Sequence, residues 1–234
     1  MTDLFLLPFA GGASLMYENW QFPAGIRAIP LDYRGHGYRM REPLDDTFEE
    51  LVGDLADQIR QKRSGAVLAL FGHSMGGLAA WDTAVRLAEE GIPVNQVIVS
   101  ACLPPHLFSE KKYTEMATDA WLETFLTEYG RMKPEKMESA FFRKRLYPAI
   151  QNDYRLLSVH RHGEIRTEAF SLACFYGQED ELMPRAGMEE WAAYTRARFC
   201  LKGFRGSHFY IEEEAVREEA IAAIEALLED GVTG

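Results

Sequence analysis

The sequence predicts an α/β fold in which helices cover both faces of a doubly wound, mostly parallel sheet. Short apolar stretches of strand length occur at residues 4–9, 26–31, 66–71 and 94–102. Stretches with helical spacing of apolar residues follow the second and the third of these strands. Strands that alternate with helices are typical of parallel sheets, because each helix returns the chain to the same edge. The 234 residues fit one domain of this kind, spanning residues 1–234.

The first predicted helix has the clearest boundary signals. Thr47 and Glu50 have the spacing of a capping box, which marks a helix N-terminus. The apolar residues that follow at helical spacing are Phe48, Leu51, Val52, Leu55 and Ile59. Later in the chain, strands are predicted at 169–176 and 197–202, with helices at 184–196 and 212–229. The alternation of strand and helix therefore continues to the end of the predicted sheet.

A candidate nucleophile lies directly after the strand at 66–71. The pentapeptide Gly72-His73-Ser74-Met75-Gly76 connects this strand to an Ala-rich helical stretch. In a nucleophile elbow, the turn is so tight that only small residues fit two positions before and after the serine. The pattern therefore predicts that Ser74 is catalytic. The alternative is a small-residue turn that carries an idle serine.

A serine hydroxyl needs a neighbouring base to act as a nucleophile at neutral pH, and the base needs an acid that orients it. In proteins with this elbow, the chain order is serine, then acid, then histidine. The last histidine of the chain, His208, lies in a Gly-flanked loop after the last predicted strand. His208 is therefore the predicted base, and a surface-loop histidine is the alternative.

The acid is expected in the loop after the strand at 169–176. Three carboxylates are consecutive there: Glu179, Asp180 and Glu181. Asp180 is favoured because it is the third residue after Gly177, where such a loop projects an acid back toward the base. Its two neighbours remain the alternatives.

Two backbone N–H groups are predicted to form an oxyanion hole, the pair of donors that stabilises a negatively charged oxygen in the transition state. One is the N–H of Met75, next to the nucleophile. The other is the N–H of Ala10, in the loop after the first strand. Gly11 and Gly12 follow it and permit the backbone to turn an N–H inward. An ordinary Gly-Gly loop is the alternative.

Residues 103–166 are predicted to form a helical lid inserted between two strands. Aromatic and apolar residues recur at helical spacing around Trp121 and Phe125, and prolines divide the segment. The segment is too long for a simple connection and too patterned for disorder. Extra helices on the edge of the domain are the alternative.

Basic side chains are concentrated in part of this predicted lid. Residues 131–166 contain nine basic and four acidic side chains, so a docking surface for an acidic partner protein is expected here. A solvated helix face is the alternative.

Composition limits the classes of function. The formal net charge of −11 argues against non-specific binding to nucleic acids or anionic membranes. The apolar start lacks a basic region and a cleavage pattern, so it is expected to be a first strand and not a signal peptide. No apolar run has the length of a membrane span. The three cysteines fit no metal-binding spacing and are expected to be buried thiols in a reducing cytoplasm, and Cys174 and Cys200 lie in apolar strand-like runs.

With these residues assembled, the chain resembles the type II thioesterases. These are α/β hydrolases that accompany non-ribosomal peptide and polyketide synthases. The resemblance covers nearly the whole chain and rests on four stretches, of which the first is the most specific. They are Leu7-Pro8-Phe9-Ala10-Gly11-Gly12-Ala13-Ser14 with Trp20, Gly72-His73-Ser74-Met75-Gly76-Gly77, Gly177-Gln178-Glu179-Asp180 and Phe204-Arg205-Gly206-Ser207-His208-Phe209. The stretch 148–154 also resembles a family segment.

The resemblance implies hydrolysis of acyl or aminoacyl thioesters from the phosphopantetheine arm of acyl or peptidyl carrier proteins. The implied enzyme needs no cofactor and no metal, because the substrate carries the phosphopantetheine. We expect a monomer that acts on these partners in the cytoplasm and binds neither nucleic acid nor membrane.

Two stretches depart from the family pattern. Tyr33-Arg34-Gly35-His36-Gly37 stands where the family commonly has Leu-Pro-Gly-Arg-Gly, and it is more typical of general esterases. His36 is expected to be structural. The lid has Gly130-Arg131-Met132-Lys133-Pro134 in place of Gly-Gly-x-Pro. The alternatives are therefore a small-molecule carboxylic-ester hydrolase with the same triad, and a non-catalytic ligand-binding homologue.

Overall fold

The computed structural model describes residues 1–108, 114–128, 133–160 and 165–230. Six strands form one sheet in the order β2-β1-β3-β4-β5-β6, and every neighbouring pair is parallel. The strands are β1 Thr2–Leu7, β2 Ile26–Pro30, β3 Val67–His73, β4 Gln96–Ser100, β5 Ser171–Gly177 and β6 Phe199–Phe204. The predicted doubly wound parallel sheet is confirmed.

Helices connect the strands. The α-helices are α1 Phe48–Lys62, α2 Met75–Glu89, α3 Asp119–Glu128, α4 Pro134–Met137, α5 Tyr147–Val159, α6 Arg185–Glu189 and α7 Glu214–Asp230. Short 3₁₀ turns occur at Ser14–Tyr17, Gly37–Arg39, Pro105–Leu107, Glu190–Tyr194 and Tyr210–Glu212. One π-helical turn, Phe142–Leu146, leads directly into α5. In the part of the chain that the structure describes, no helix combines the length and the apolar character that crossing a membrane demands.

The start of α1 has the predicted capping box. The Thr47 hydroxyl accepts a hydrogen bond from the N–H of Glu50 at 3.1 Å. The Glu50 carboxylate in turn accepts one from the N–H of Thr47 at 3.3 Å. Both bonds satisfy N–H groups that a helix N-terminus leaves without a partner.

The sheet separates two hydrophobic cores. Side chains of a strand alternate between its two faces, so Phe5 and Leu7 of β1 point to one core while Leu4 and Leu6 point to the other. Helices α1 and α2 and much of the chain between β4 and β5 pack on the first core, and α7 packs on the second. Two covered faces explain the continuous apolar runs within the strands, such as Leu4–Leu7 of β1 and Val97–Val99 of β4.

The predicted helix at 184–196 is shorter than expected. It consists of α6 followed by a 3₁₀ turn over Glu190–Tyr194. In a 3₁₀ turn, residues three apart lie on the same side. The turn therefore directs both Trp191 and Tyr194 into the core, where each is no more than 1% exposed, and the Trp191 indole donates a hydrogen bond to the Cys102 carbonyl at 2.6 Å.

The chain between β4 and β5 contains α3, α4, the π-helical turn and α5. The predicted aromatic stripe lies on α3, where the Trp121 ring stacks on Phe125 and contacts Tyr154 of α5. Tyr129, which continues the same helical spacing in the sequence, lies outside the described residues. Cys102 and Cys174 are buried free thiols as expected, and burial raises the pKa of both. The expectation of a buried thiol is wrong for Cys200, which is only half-buried because β6 is an edge strand.

Candidate active site

Ser74 lies on a strained turn between β3 and α2. Its φ of 55° and ψ of −121° are unusual for a residue other than glycine. The flanking glycines make this turn possible. A Cβ on Gly72 would lie 1.8 Å from the carbonyl oxygen of Gly76, and a Cβ on Gly76 would lie 2.3 Å from the carbonyl oxygen of Leu7. The strand, turn and helix of the predicted elbow are thus all present.

His208 and Asp180 lie in the loops that follow β6 and β5. The Nδ1 atom of His208 is 2.8 Å from Oδ2 of Asp180, and its Nε2 atom is 3.0 Å from Oγ of Ser74. The two loops run close together, since a Cβ on Gly177 would lie 2.3 Å from the carbonyl oxygen of Ser207. The structure therefore brings the three predicted residues into one hydrogen-bonded row at the carboxyl edge of the sheet, where ligands of parallel α/β sheets bind.

The environment of Asp180 distinguishes it from its neighbours. Asp180 is 5% exposed, whereas Glu179 and Glu181 are exposed to solvent. Its second oxygen, Oδ1, accepts hydrogen bonds from the N–H groups of Leu182 and Met183 at 2.9 and 3.1 Å. With Asp180 as acceptor, Nδ1 of His208 carries the hydrogen. Its Nε2 is then free to accept the proton of Ser74.

The two candidate oxyanion donors lie on adjacent loops. Leu7 at the end of β1 pairs with Gly72 in β3, so the loop that carries Ala10 and the turn that leads to Met75 leave the sheet side by side. Met75 is the first residue of α2, where N–H groups lack helical acceptors and the helix dipole favours negative charge. No hydrogen bond within the described ranges uses the N–H of either residue.

The loop after β1 is held by residues that the sequence analysis did not assign to the site. The hydroxyls of Tyr17 and Tyr33 donate to the carbonyls of Leu7 and Pro8 at 2.7 and 2.6 Å. Burial raises the pKa of both tyrosines, so both remain donors. From α5, the Asp153 carboxylate accepts a hydrogen bond from the N–H of Gly11 at 2.6 Å. Asp153 falls in the stretch 148–154 that carried the family resemblance, but its partner lies 142 residues away.

His36 is buried against the same carboxylate. Its Nε2 lies 3.0 Å from Oδ2 of Asp153, and its Nδ1 lies 2.9 Å from the carbonyl oxygen of Arg34. Burial alone would lower the pKa of His36. The charge of Asp153 and the hydrogen bond to it outweigh that effect and raise the pKa from 6.5 to about 9. His36 is therefore a cation at neutral pH, and it compensates the buried charge of Asp153.

His73 precedes the nucleophile but makes no hydrogen bond to Ser74 among those found in the described chain. Its Nδ1 lies 2.8 Å from Oγ of Ser100, which is 2.6 Å from the hydroxyl of Tyr210. The His73 ring is fully buried, with its centroid 5.5 Å from that of His208. Its ring therefore packs against the base, and its Nδ1 contacts Ser100.

A small apolar cavity of about 90 Å³ adjoins the site. It lies between the loop after β1, helices α3 and α5, and Phe209, which follows the candidate base. Its lining residues are Phe9, Ala10, Gly11, Phe125, Leu126, Ile150, Tyr154 and Phe209. A groove of about 810 Å³ along α7 is larger, but none of the three hydrogen-bonded residues lines it. Over the described chain, no three His, Cys, Asp or Glu side chains are grouped to hold a metal ion.

This fold and site define a class of protein. A parallel sheet with an elbow serine after one strand, and an acid and a histidine after two later ones, is the arrangement of the α/β hydrolases. A family model for the thioesterase domain matches residues 2–228. The chain belongs to the thioesterase family.

Known proteins similar to this chain include two curated relatives and one solved structure. Linear gramicidin dehydrogenase LgrE of Brevibacillus parabrevis is 27% identical, over 99% of this chain and 89% of its own length. Thioesterase TesA of Mycobacterium leprae (strain TN) is 27% identical, over 89% of this chain and 80% of its own length. The crystal structure of ClbQ from the colibactin NRPS/PKS pathway has a TM-score of 0.88 and 25% identity, covering 100% of this chain and 99% of ClbQ.

Proposed function

We propose that this protein hydrolyses acyl or aminoacyl thioesters on the phosphopantetheine arm of carrier proteins, in non-ribosomal peptide, polyketide or fatty-acid synthesis. The observation that carries the proposal is the row of hydrogen bonds from Asp180 through His208 to Ser74. The chain that contains this row belongs to the thioesterase family, and it is similar to ClbQ from the colibactin NRPS/PKS pathway. The proposed reaction requires no added cofactor or metal.

The mechanism follows from the positions of the three side chains. Nε2 of His208 takes the proton of Ser74, and Oγ attacks the thioester carbonyl carbon. The N–H groups of Met75 and Ala10 stabilise the resulting oxyanion, and one such donor contributes about 3–4 kcal/mol. As the carbon–sulfur bond breaks, His208 returns the proton to the departing thiolate. Water then attacks the acyl-enzyme with His208 again as base, releasing the acid and restoring Ser74.

The cavity beside Ala10 is the proposed acyl site. Most of its lining side chains are aliphatic or aromatic, which suits a hydrocarbon chain. At about 90 Å³ it is smaller than the pockets of about 300–1,000 Å³ that bind drug-sized ligands. Short acyl groups therefore fit without rearrangement. Residues 103–166 act as the lid in this proposal, because α3 and α5 provide half of the cavity wall.

A carrier protein would dock on the lid. Of the basic residues in this segment, Arg155 bonds to Asp45, Asp46 and Asn152, and Arg166 pairs with Glu89 and Glu168. Arg131 and Arg161 lie outside the described residues. Arg143, Lys144 and Arg145 are exposed on the π-helical turn that leads into α5. We refer to these three residues as the basic turn, and an acidic carrier surface is the partner it suits.

The remaining parts of the proposal concern the setting in the cell. The buried free thiols of Cys102 and Cys174 suit a reducing cytoplasm, where disulfides are rare. A monomer suffices for the mechanism, because all of the proposed catalytic groups come from one chain.

The name of LgrE refers to a dehydrogenase. This sequence, however, contains no Gly-x-Gly-x-x-Gly motif of the kind that binds a dinucleotide.

The deciding experiment compares two substrates. Release of acyl groups from an acyl-carrier protein is measured against hydrolysis of simple oxygen esters of the same acyl group. We expect a much larger kcat/KM for the carrier-bound thioester. A preference for the oxygen ester would favour a general esterase, and hydrolysis of neither would favour a non-catalytic ligand-binding homologue.

A further inference from the structure

Helix α5 holds the loop after β1 at two points one turn apart. Asp153 accepts the hydrogen bond from the N–H of Gly11. Ile150 packs against the same residue so closely that a Cβ on Gly11 would lie 2.4 Å from Cγ1 of Ile150. Gly11 has a φ of +76°, which glycine adopts without strain. In both contacts the loop residue is Gly11, and the two helix residues lie on the same face of α5.

The carboxylate of Asp153 contacts two loops, the one after β1 and the one after β2. Its Oδ2 atom accepts from Gly11 and also contacts Nε2 of His36, in the loop after β2. Asp153 is 1% exposed, and a buried carboxylate is costly unless it is both paired and hydrogen-bonded. His36 provides the opposite charge. The other groups that face its ring are the Arg34 carbonyl and Asp32 of its own loop, and the ring of Tyr33 at 5.6 Å.

These contacts enclose the candidate oxyanion donor on both sides. Tyr33 fixes the carbonyl of Pro8, two residues before Ala10, and Asp153 fixes the N–H of Gly11, the residue after it. The Ala10 N–H belongs to the Phe9–Ala10 peptide unit, which is the single unit between the two fixed ones, so these two contacts restrict its direction. A preorganised donor stabilises a transition state more than one that must be reoriented, because no reorganisation is needed during the reaction.

We propose that Asp153, paired with His36, is a positioning residue that orients the N–H of Ala10 toward the oxyanion and so connects the lid helix α5 to catalysis. The proposal rests on the proposed thioesterase function. Asp153 does not touch the reacting atoms. It acts through Gly11, and its effect should therefore appear in transition-state stabilisation and not in substrate binding.

The test compares variants of Asp153 with one matched control. Asp153→Ala removes the acceptor and should lower kcat about 100-fold, the size expected for an impaired oxyanion donor. Asp153→Asn is isosteric but cannot satisfy both Gly11 and His36 as the carboxylate does, so a smaller loss, about 10-fold, is expected. KM should remain within about twofold for both. Gln151→Ala is the control, because Gln151 lies on the same helix and bonds to Asp119 of α3. It should retain wild-type kcat.

A second measurement separates positioning from a merely structural role. The affinity for a trifluoromethyl ketone analogue of the acyl group, which forms an anionic tetrahedral adduct with the serine, should fall in proportion to kcat/KM. A rise in KM with unchanged affinity for this analogue would overturn the proposal. So would wild-type kcat in a folded Asp153→Asn. If Asp153→Ala does not fold, the isosteric Asp153→Asn provides the comparison.

Failure of the positioning proposal for Asp153 can be distinguished from failure of the thioesterase proposal. That failure would appear as a wild-type protein unable to hydrolyse carrier thioesters. Phosphonylation of Ser74 by a fluorophosphonate probe would then replace turnover, because that reaction also places negative charge on an oxygen in the oxyanion hole. Slower labelling of Asp153→Asn than of Gln151→Ala would support positioning, and equal rates would contradict it.

Discussion

Nε2 of His208 lies 3.0 Å from Oγ of Ser74, although 134 residues separate them in the chain. The separation is bridged by the sheet, because Ser74 directly follows β3 and His208 comes four residues after β6. Ser74 is half-buried while His208 is 3% exposed. The hydroxyl is thus accessible to a substrate, whereas the base is shielded from water and aligned by Asp180.

Ser74→Ala should abolish formation of an acyl-enzyme. We expect turnover to fall by about 10⁶, by analogy with loss of the nucleophile in other serine hydrolases. A fluorophosphonate probe should label the wild type and not the variant. Ser64→Ala is the control, since Ser64 is an exposed serine in the turn before β3. Equal labelling of Ser74→Ala and the wild type would exclude Ser74 as the nucleophile.

Asp180→Asn should lower turnover by about 10⁴, because the amide no longer holds His208 in the required tautomer. Glu179→Gln and Glu181→Gln are matched controls from the same loop, and as exposed residues they should be nearly silent. His208→Ala should match Ser74→Ala, because members of a triad act as a unit. Greater damage from Glu179→Gln than from Asp180→Asn would identify Glu179 as the acid.

The sequence predicted the parts of the site that depend on local pattern. The elbow around Ser74 needs small residues at fixed spacing, and the chain order of serine, acid and histidine follows from the order of the strands. Asp180 could be favoured over Glu179 and Glu181 by position alone. Asp180 is buried and its two neighbours are exposed because of the way the loops after β5 and β6 pack together. A local sequence pattern carries no information about that packing.

Local sequence patterns could not identify the residues that support the site. Asp153 and His36 are 117 residues apart, and a single carboxylate or histidine gives no sign of its partner. His36 was expected to be structural, and its contact with the carboxylate that holds Gly11 adds a role that the sequence did not suggest. The sequence pattern does not indicate the 3₁₀ turn at Glu190–Tyr194 for a similar reason, because burial of Trp191 and Tyr194 overrides a helical pattern.

Charge reversal on the basic turn tests carrier docking. Changing Arg143, Lys144 and Arg145 to Glu should raise KM for acyl-carrier protein and flatten its dependence on salt. Hydrolysis of a short acyl-pantetheine thioester should be unchanged. The control applies the same charge change elsewhere, with Lys62, Arg63 and Arg196 changed to Glu, all three exposed. If both substrates suffer equally, the basic turn supports the fold or the cavity and docking lies elsewhere.

The His36–Asp153 pair should make stability depend on pH. Because the pKa of His36 is raised from 6.5 to about 9, its stabilisation is complete below about pH 6.5 and is lost as pH rises through about 9. A shift of this size corresponds to at most roughly 3–4 kcal/mol. Urea unfolding of the wild type and Asp153→Asn should therefore differ most near pH 6 and least near pH 10. A difference independent of pH would show that His36 does not titrate in this range.

The contact between Asp153 and Gly11 also limits how this fold can be recombined. Ser74, Asp180 and His208 all lie outside the chain between β4 and β5, so that chain could be exchanged among relatives without altering them. Asp153, however, lies inside it, while Gly11 and His36 lie in the other part. A chimaera whose donor segment lacks a carboxylate at this position would remove the charge that raises the pKa of His36 and would leave the N–H of Gly11 without its acceptor. Exchange of this segment therefore requires co-inheritance of one aspartate with a distant histidine.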